Sequence, residues 1–157
     1  MRASVLLAAI TLSCSGWAQQ GAIPNPARTP DAINSYITQA IIHETLCIPH
    51  WTRTIRPPPS YTNELKVKQM RELGLPGTIH DYYEDHLVPL CVGGHPDDPR
   101  NLWPEPIAGK WSASVKDQLE LSVCRAVCLG SMTLKDGQAV FLTGDWTKAY
   151  EEFFKRQ

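Results

Sequence analysis

The residues best suited to chemistry are Asp85 and His86, which are adjacent, and Asn101, which follows a Gly93-Gly94 pair. A carboxylate offers a divalent cation the hard oxygen that it prefers. A neutral histidine can take a proton from water, and the cation can stabilise the charge that develops on the leaving oxygen of a phosphodiester. An asparagine can hold a loop through hydrogen bonds from its side chain to the backbone. This combination indicates hydrolysis of a phosphodiester.

The segment 80–105 must position these residues, and its pattern predicts a β-hairpin. The apolar run 87–90 predicts the first strand, the Gly-Gly pair begins the turn, 95–100 form a polar loop, and 101–103 form the returning strand. Adjacent side chains on a strand point to opposite faces. The aspartate and the histidine can therefore serve one site only if the strand is twisted or ends there.

Apolar residues at helical spacing predict several helices around this hairpin. The first carries a stripe of four isoleucines, Ile33, Ile37, Ile41 and Ile42. The predicted helices begin at Thr29-Pro30, cover 62–73 with Thr62 as cap and Gly74 as stop, cover about 112–127, and follow Thr133 and Asp145. Residues 47–61 are expected to be irregular. The sequence thus predicts a mostly helical α+β fold in one domain, built around a small hairpin plus helix.

The first residues have the pattern of a secretory signal peptide. Arg2 provides a positive start, residues 5–12 are apolar, and Ala18 ends a cleavage site of small residues. The apolar run is shorter than the ~20 residues that a membrane-spanning helix needs. We therefore expect removal of 1–18, export to the bacterial periplasm or the medium, and a single domain over 19–157 with its core at about 82–127.

Composition and charge narrow the function classes. The chain is 43% hydrophobic and 20% charged, which is ordinary for a globular domain and excludes a disordered or collagen-like chain. The formal net charge of −1 excludes an overall basic surface for nucleic acid. The charge is uneven, because 50–75 carry net +3 and 80–105 carry net −5. These segments could hold an anionic polymer beside a metal ion, and two separate solvated faces are the simpler interpretation.

Export changes the interpretation of the cysteines, because disulfides persist outside the cytoplasm. Loss of the signal peptide leaves Cys47, Cys91, Cys124 and Cys128, which allow two disulfides in three pairings. Cys124 and Cys128 stand at i and i+4 on a predicted helix and face the same side, so each is expected to reach a distant partner. We favour Cys47–Cys128 with Cys91–Cys124. A four-cysteine zinc site of unusual spacing is the alternative.

The ordered motifs of the hairpin resemble those of a known family. The chain resembles the core of the HNH endonucleases, which have the ββα-metal fold, in Asp85-His86-x-x-Pro89-Leu90, Gly93-Gly94 and Asn101-Leu102. More narrowly, it resembles small exported bacterial HNH-like proteins. Their Asp-His strand, Gly-Gly turn, Asn-Leu-Trp-Pro strand and Lys-Asp-x-x-Glu helix match residues 84–120, and the resemblance extends over most of the chain after the signal peptide.

The resemblance implies a role for each matched residue. His86 would be the general base, Asp85 a metal ligand, and Asn101 the residue that orders the loop. HNH sites usually take a further ligand about eight or nine residues after that asparagine. This chain has Gly109 and Lys110 there, which cannot serve, so the second ligand must come from elsewhere.

We expect Asp117 to be this second ligand, with Glu105 or Glu120 as alternatives. The implied activity is a divalent-metal-dependent endonuclease, with Mg²⁺ expected and Mn²⁺ or Zn²⁺ as alternatives, acting on DNA, RNA or both with little sequence specificity. Phosphate contacts are expected from four basic residues, Lys116, Arg53, Arg56 and Lys66. The alternative is that the missing ligand has left an inactive HNH scaffold that binds nucleic acid or an envelope partner.

Overall fold

The computed structural model describes residues 21–142 and 144–155, and the predicted signal peptide lies outside these residues. They form a two-stranded antiparallel sheet with α-helices and short 3-10 turns around it. The elements are α1 (Trp51–Ile55), α2 (Pro59–Leu73), β1 (Tyr82–His86), β2 (Leu102–Pro106), α3 (Ala113–Cys128), α4 (Leu134–Leu142) and α5 (Trp146–Lys155). The 3-10 turns cover Gln39–Glu44, Ile79–Asp81, Leu90–Val92 and Pro99–Asn101. The predicted α+β class with a small hairpin is confirmed.

The hairpin is present and β2 overlaps the predicted returning strand, but the first strand lies before the predicted one. β1 ends with His86 opposite Leu102 of β2, before the apolar run that was expected to form the first strand. Leu87 still donates its N–H to the Asn101 carbonyl at 2.8 Å. Pro89 has no N–H for a ladder, and a 3-10 turn follows it. The apolar run is therefore buried as the beginning of the loop, and the prediction of a strand there was wrong.

Residues 29–38 are not helical, contrary to the prediction. Asp31 has a φ of +96°, and its N–H donates to the Arg100 carbonyl at 3.0 Å. Ile33 forms an isolated antiparallel bridge with Gly94. Because these backbone groups pair with the loop between the strands, they are not available for the i→i−4 bonds of a helix. The segment nonetheless buries Ile37 of the predicted stripe, and Ile42 is buried in the 3-10 turn that follows it.

The helix before the hairpin, α2, begins earlier than predicted and ends where predicted. It begins at Pro59 rather than after Thr62, because a proline in the first turn loses an N–H that has no partner there. It ends at Gly74, which has a φ of +61° and donates its N–H to the Arg71 carbonyl. Part of 47–61, expected to be irregular, forms the short helix α1.

The long helix α3 confirms the predicted third helix and forms one wall of the core. Leu119, Val123 and Val127 are fully buried on it. They belong to the same cluster as Phe141 of α4 and Trp146 of α5, so the two predicted C-terminal helices pack over α3. On the other side of the hairpin, α2 lies against both strands.

Two disulfides tie α3 to distant parts of the chain. They join Cys47 to Cys128 and Cys91 to Cys124, which is the pairing favoured from the sequence. The alternative, a zinc site of four cysteines, would need these same sulfurs as thiolates, so the disulfides exclude it. Disulfides of this kind are consistent with an extracytoplasmic protein. Within the described ranges, no helix has the length and apolar character needed to cross a bilayer.

Candidate functional site

The histidine singled out in the sequence is the last residue of β1. Its side chain is buried, and Nε2 lies 2.8 Å from the carbonyl oxygen of Pro96 in the loop. Because a carbonyl can only accept, Nε2 of His86 carries the hydrogen and Nδ1 keeps its lone pair. Among the described residues, none makes a hydrogen bond to Nδ1. The loop thus selects the tautomer that a general base requires.

The surroundings of His86 keep its ring neutral. Burial lowers the pKa of His86, because it penalises the charged imidazolium. The positive charges of Arg56 and Lys116 lower the pKa further, while the Asp85 carboxylate and the Pro96 carbonyl oppose them. At neutral pH the ring can therefore accept a proton.

Asn101 orders the loop between the strands, as expected. Its side-chain oxygen accepts from the Val88 N–H at 2.9 Å. Its amide nitrogen donates to the carbonyls of Val88 and His95, both at 3.0 Å. The residue is fully buried, so these bonds are shielded from water and each is costly to lose. Asn101 therefore joins both halves of the loop that carries Pro96.

The two adjacent glycines of the loop are required for different reasons. Gly93 has a φ of +82°, which glycine adopts without steric cost. At Gly94, a Cβ would lie 1.7 Å from the Val88 carbonyl oxygen and 2.8 Å from Nδ2 of Asn101. No side chain fits there, because that carbonyl and that amide are hydrogen-bonded to each other. The Gly-Gly motif thus follows from close packing inside the loop.

Asp85 points away from His86, to the face of the strand that meets α3. Its Oδ2 accepts from Nζ of Lys116 at 2.7 Å. The same ammonium donates to the backbone carbonyl of His86 at 2.7 Å and to the carboxylate of Glu120. Lys116 is fully buried, and its three protons are all used by these bonds. This placement argues against the expected phosphate contact of Lys116.

The opposite charges of Asp85 and Lys116 keep both groups ionised. Burial alone would raise the pKa of Asp85, but the Lys116 ammonium and other neighbours hold that pKa below its usual range. Burial would lower the pKa of Lys116, but the carboxyl groups of Asp85, Glu120 and Glu105 raise it. Asp85 and Lys116 therefore both stay charged. At Glu120 burial dominates and raises the pKa to about 7.

Two further glutamates are buried in the hairpin. Both side-chain oxygens of Glu105 and of Glu84 lack a hydrogen-bond donor among the described residues. Burial raises the pKa of Glu105 well above its usual range, and a neutral Glu105 can donate its O–H to the adjacent Asp85 carboxylate. Burial likewise raises the pKa of Glu84 to about 8. These carboxyl groups are therefore largely neutral at pH values where surface carboxyl groups are charged.

The predicted metal ligands are only partly brought together. Of the two alternatives, Glu105 lies against Asp85 and Glu120 is linked to Asp85 through Lys116, whereas Asp117 is exposed on α3. A divalent cation needs carboxylate oxygens that can turn towards it. Here Lys116 stands between two of these carboxylates, and the part of the chain that the structure describes holds no group of three or more His, Cys, Asp or Glu able to bind a metal ion. As arranged, the residues do not fit a divalent cation.

The other predicted substrate contacts differ in accessibility. Arg53 lies in α1 and Arg56 directly follows it, and both are exposed. Lys66 of α2 is buried and donates to the Tyr82 carbonyl at 2.8 Å, so it holds α2 against the hairpin and does not face solvent. The two arginines are therefore the predicted phosphate contacts that the fold leaves accessible.

The burial of Lys116 and of the Glu84 carboxyl group was not predicted from the sequence. A signal existed for Lys116, because Leu119 and Val123 follow it at i+3 and i+7 and place it on the buried face of α3. No such signal existed for Glu84. Its burial depends on the packing of α2 over the strand, which the pattern of the strand itself does not contain.

Comparisons with known proteins leave the site to be interpreted on its own geometry. No family model, no curated protein and no solved structure matches this chain. Two strands and a helix follow one another in the chain as β1, β2 and α3, and this order alone does not establish a ββα-metal core. The function must therefore be inferred from His86 and its surroundings.

Proposed function

We propose that the chain is an exported endonuclease that hydrolyses phosphodiester bonds in DNA or RNA. The observation that carries this proposal is the buried, neutral imidazole of His86, whose Nε2 is bonded to the Pro96 carbonyl and whose Nδ1 is left to accept a proton. A histidine in this state is suited to activate water. The Asp-His pair at the end of β1, the ordered loop and the resemblance to HNH endonucleases support the same function.

In the proposed reaction, Nδ1 of His86 removes a proton from water while the water oxygen bonds to phosphorus. The bond from phosphorus to the leaving sugar oxygen breaks, and that oxygen takes a proton from solvent. Arg56, which is exposed and acts electrostatically on His86, would bind the phosphate oxygens through its guanidinium. No step is assigned to a metal ion, because Lys116 stands among the carboxylates that would hold one.

Arg53 would extend this basic surface along α1. Contacts between arginine and phosphate carry no information about the bases, so we expect little sequence specificity. They also release counterions, so binding should weaken as the salt concentration rises.

The test is cleavage of plasmid DNA and of RNA by the oxidised protein, in EDTA and with Mg²⁺, Mn²⁺ or Zn²⁺. We expect His86→Ala to lower the cleavage rate by about 100-fold or more, because loss of a general base typically costs this much. His80→Ala, which removes an exposed histidine just before β1, should leave the rate unchanged. Undiminished cleavage by His86→Ala would exclude the proposed mechanism.

A binding module on an inactive scaffold is the second candidate. The observation that favours it is the ion pairing of Lys116 with Asp85 and Glu120, which neutralises the carboxylates that the resemblance would assign to a metal. A folded protein that retards DNA or RNA in a gel but cleaves neither with any ion would support this candidate. In that case Arg56→Ala should weaken the binding.

A further inference from the structure

The ammonium of Lys116 lies among oxygen atoms where the hairpin meets α3. It donates to Oδ2 of Asp85 and to the carbonyl of His86, each at 2.7 Å, and to the carboxylate of Glu120. Two carboxylates and a backbone carbonyl around one positive centre are the donors that a hard divalent cation takes. A lysine nitrogen thus occupies the centre of a set of oxygen ligands.

A second observation at the same place is the carboxyl group of Glu105. Its side chain is fully buried and lies against Asp85, and neither of its oxygens has a hydrogen-bond donor among the described residues. The three protons of Lys116 are used by other oxygens, so none of them reaches this carboxyl group. Glu105 is therefore a further oxygen group beside Asp85 to which the Lys116 ammonium makes no hydrogen bond.

We propose that Lys116 is a built-in cation that fills a divalent-cation site. The wild-type chain then binds no divalent cation between Asp85 and Glu120. When the ammonium is removed, the carboxylates of Asp85, Glu105 and Glu120 and the carbonyl of His86 form a site for Mg²⁺ or Mn²⁺. This inference goes beyond the proposed function, because it concerns the binding of an ion and not the cleavage of a phosphodiester.

The physical reason is the charge that the removal of Lys116 would leave behind. Carboxylates that share a buried site without a cation repel each other and lose the attraction that offset their desolvation. A divalent cation would restore the balance, and its binding would also stabilise the folded chain. In the wild type, a divalent cation would first have to displace an ammonium that makes three charge-assisted or backbone hydrogen bonds.

The probe is Mn²⁺, followed by the loss of its free-ion paramagnetic resonance signal on addition of the oxidised protein without substrate. We expect no stoichiometric uptake by the wild type. Lys116→Met keeps an unbranched stem without the charge, and should bind one Mn²⁺ per chain at least ~10-fold more tightly than the wild type. Adding Asp85→Asn should abolish this uptake. Lys68→Met, which removes an exposed lysine of α2, is the matched control and should behave as the wild type.

Either of two results would overturn the inference. One is stoichiometric Mn²⁺ uptake by the wild type that is lost in Asp85→Asn. The other is the absence of any gained uptake in both Lys116→Met and Lys116→Gln, where the second variant keeps a neutral donor in case the first does not fold. Neither result bears on His86, whose role is measured by cleavage, so failure here is distinguishable from failure of the proposed function.

Discussion

The ionisable residues in the hairpin and at its contact with α3 fall into two groups. In one group a charged partner keeps the side chain ionised, and in the other burial favours the neutral form. Asp85 and Lys116 stay charged because their carboxylate and ammonium lie 2.7 Å apart. Glu84 and Glu105 have no donor among the described residues, so burial raises their pKa values. Burial disfavours a charge unless an opposite charge or a donor compensates it. The sheet thus contributes Asp85 to a fixed ion pair with Lys116 of α3. It also carries two carboxyl groups that lose their protons at unusually high pH.

We expect Glu84→Gln to stabilise the protein at alkaline pH. Burial raises the pKa of Glu84 to about 8 in the fold, with Lys66 opposing the rise and Asp85 adding to it. A group whose folded pKa lies above its unfolded value contributes stability at low pH, and this contribution is lost as the pH rises through the folded pKa. The free energy of unfolding of the variant relative to the wild type should therefore increase by up to roughly 4 kcal/mol from about pH 5 to about pH 9, because each pH unit between the two pKa values changes it by about 1.4 kcal/mol.

Urea denaturation of both proteins across this pH range measures the difference. Glu64→Gln changes an exposed glutamate of α2 and should leave the pH dependence as it is in the wild type. A difference between Glu84→Gln and wild type that stays constant with pH would show that Glu84 does not titrate in this range.

At the scale of elements, the loop between β1 and β2 is held from several directions. Asn101 bonds to backbone groups on both of its halves, and Ile33 of the N-terminal segment bridges to Gly94. Because the Pro96 carbonyl sits on this loop and fixes the tautomer of His86, the state of the proposed base depends on the loop as well as on the strand.

We expect Asn101→Ala to destabilise the protein by roughly 3 kcal/mol, because it leaves the N–H and carbonyl of Val88 and the carbonyl of His95 without their partner in the interior. Chemical denaturation measures this cost. Asn63→Ala, at an exposed position of α2, is the control and should be nearly neutral. Wild-type stability in Asn101→Ala would mean that its side chain does not order the loop.

At the scale of the whole molecule, the disulfides connect parts of the chain that lie far apart in the sequence. Cys47–Cys128 ties the N-terminal segment to the end of α3, and Cys91–Cys124 ties the loop of the hairpin to the same helix. A chain of this size has a modest core, so such links carry a sizeable share of its stability.

We expect the double variant Cys47→Ala/Cys128→Ala to lose about 4 kcal/mol of stability, because a separation of 81 residues is no longer closed in the unfolded chain. Cys91→Ala/Cys124→Ala, with a separation of 33 residues, should lose slightly less. Denaturation of the oxidised variants against the wild type measures both costs. Equal stability of the wild type and either variant would contradict this account.

Short stretches of the sequence suffice to predict the features that local patterns encode. The spacing of Leu119, Val123 and Val127 predicts α3, and Gly74 predicts the end of α2 because a left-handed residue ends a helix. The presence of a hairpin and the C-terminal helices agree with the structure for the same reason. Periodicity and special backbone conformations act over a few residues, so they are visible in the chain.

Contacts between distant segments set which backbone groups pair and which charges find partners. The isoleucines after Thr29 have helical spacing, yet Ile33 pairs with the loop of the hairpin, and residues 29–38 are not helical. Lys116 looked like a phosphate contact, yet Asp85 reaches it from a strand far away in the chain. The spacing of Leu119 and Val123 does place Lys116 on the buried face of α3, but its partner lies on a distant strand, and no local pattern contains that pairing.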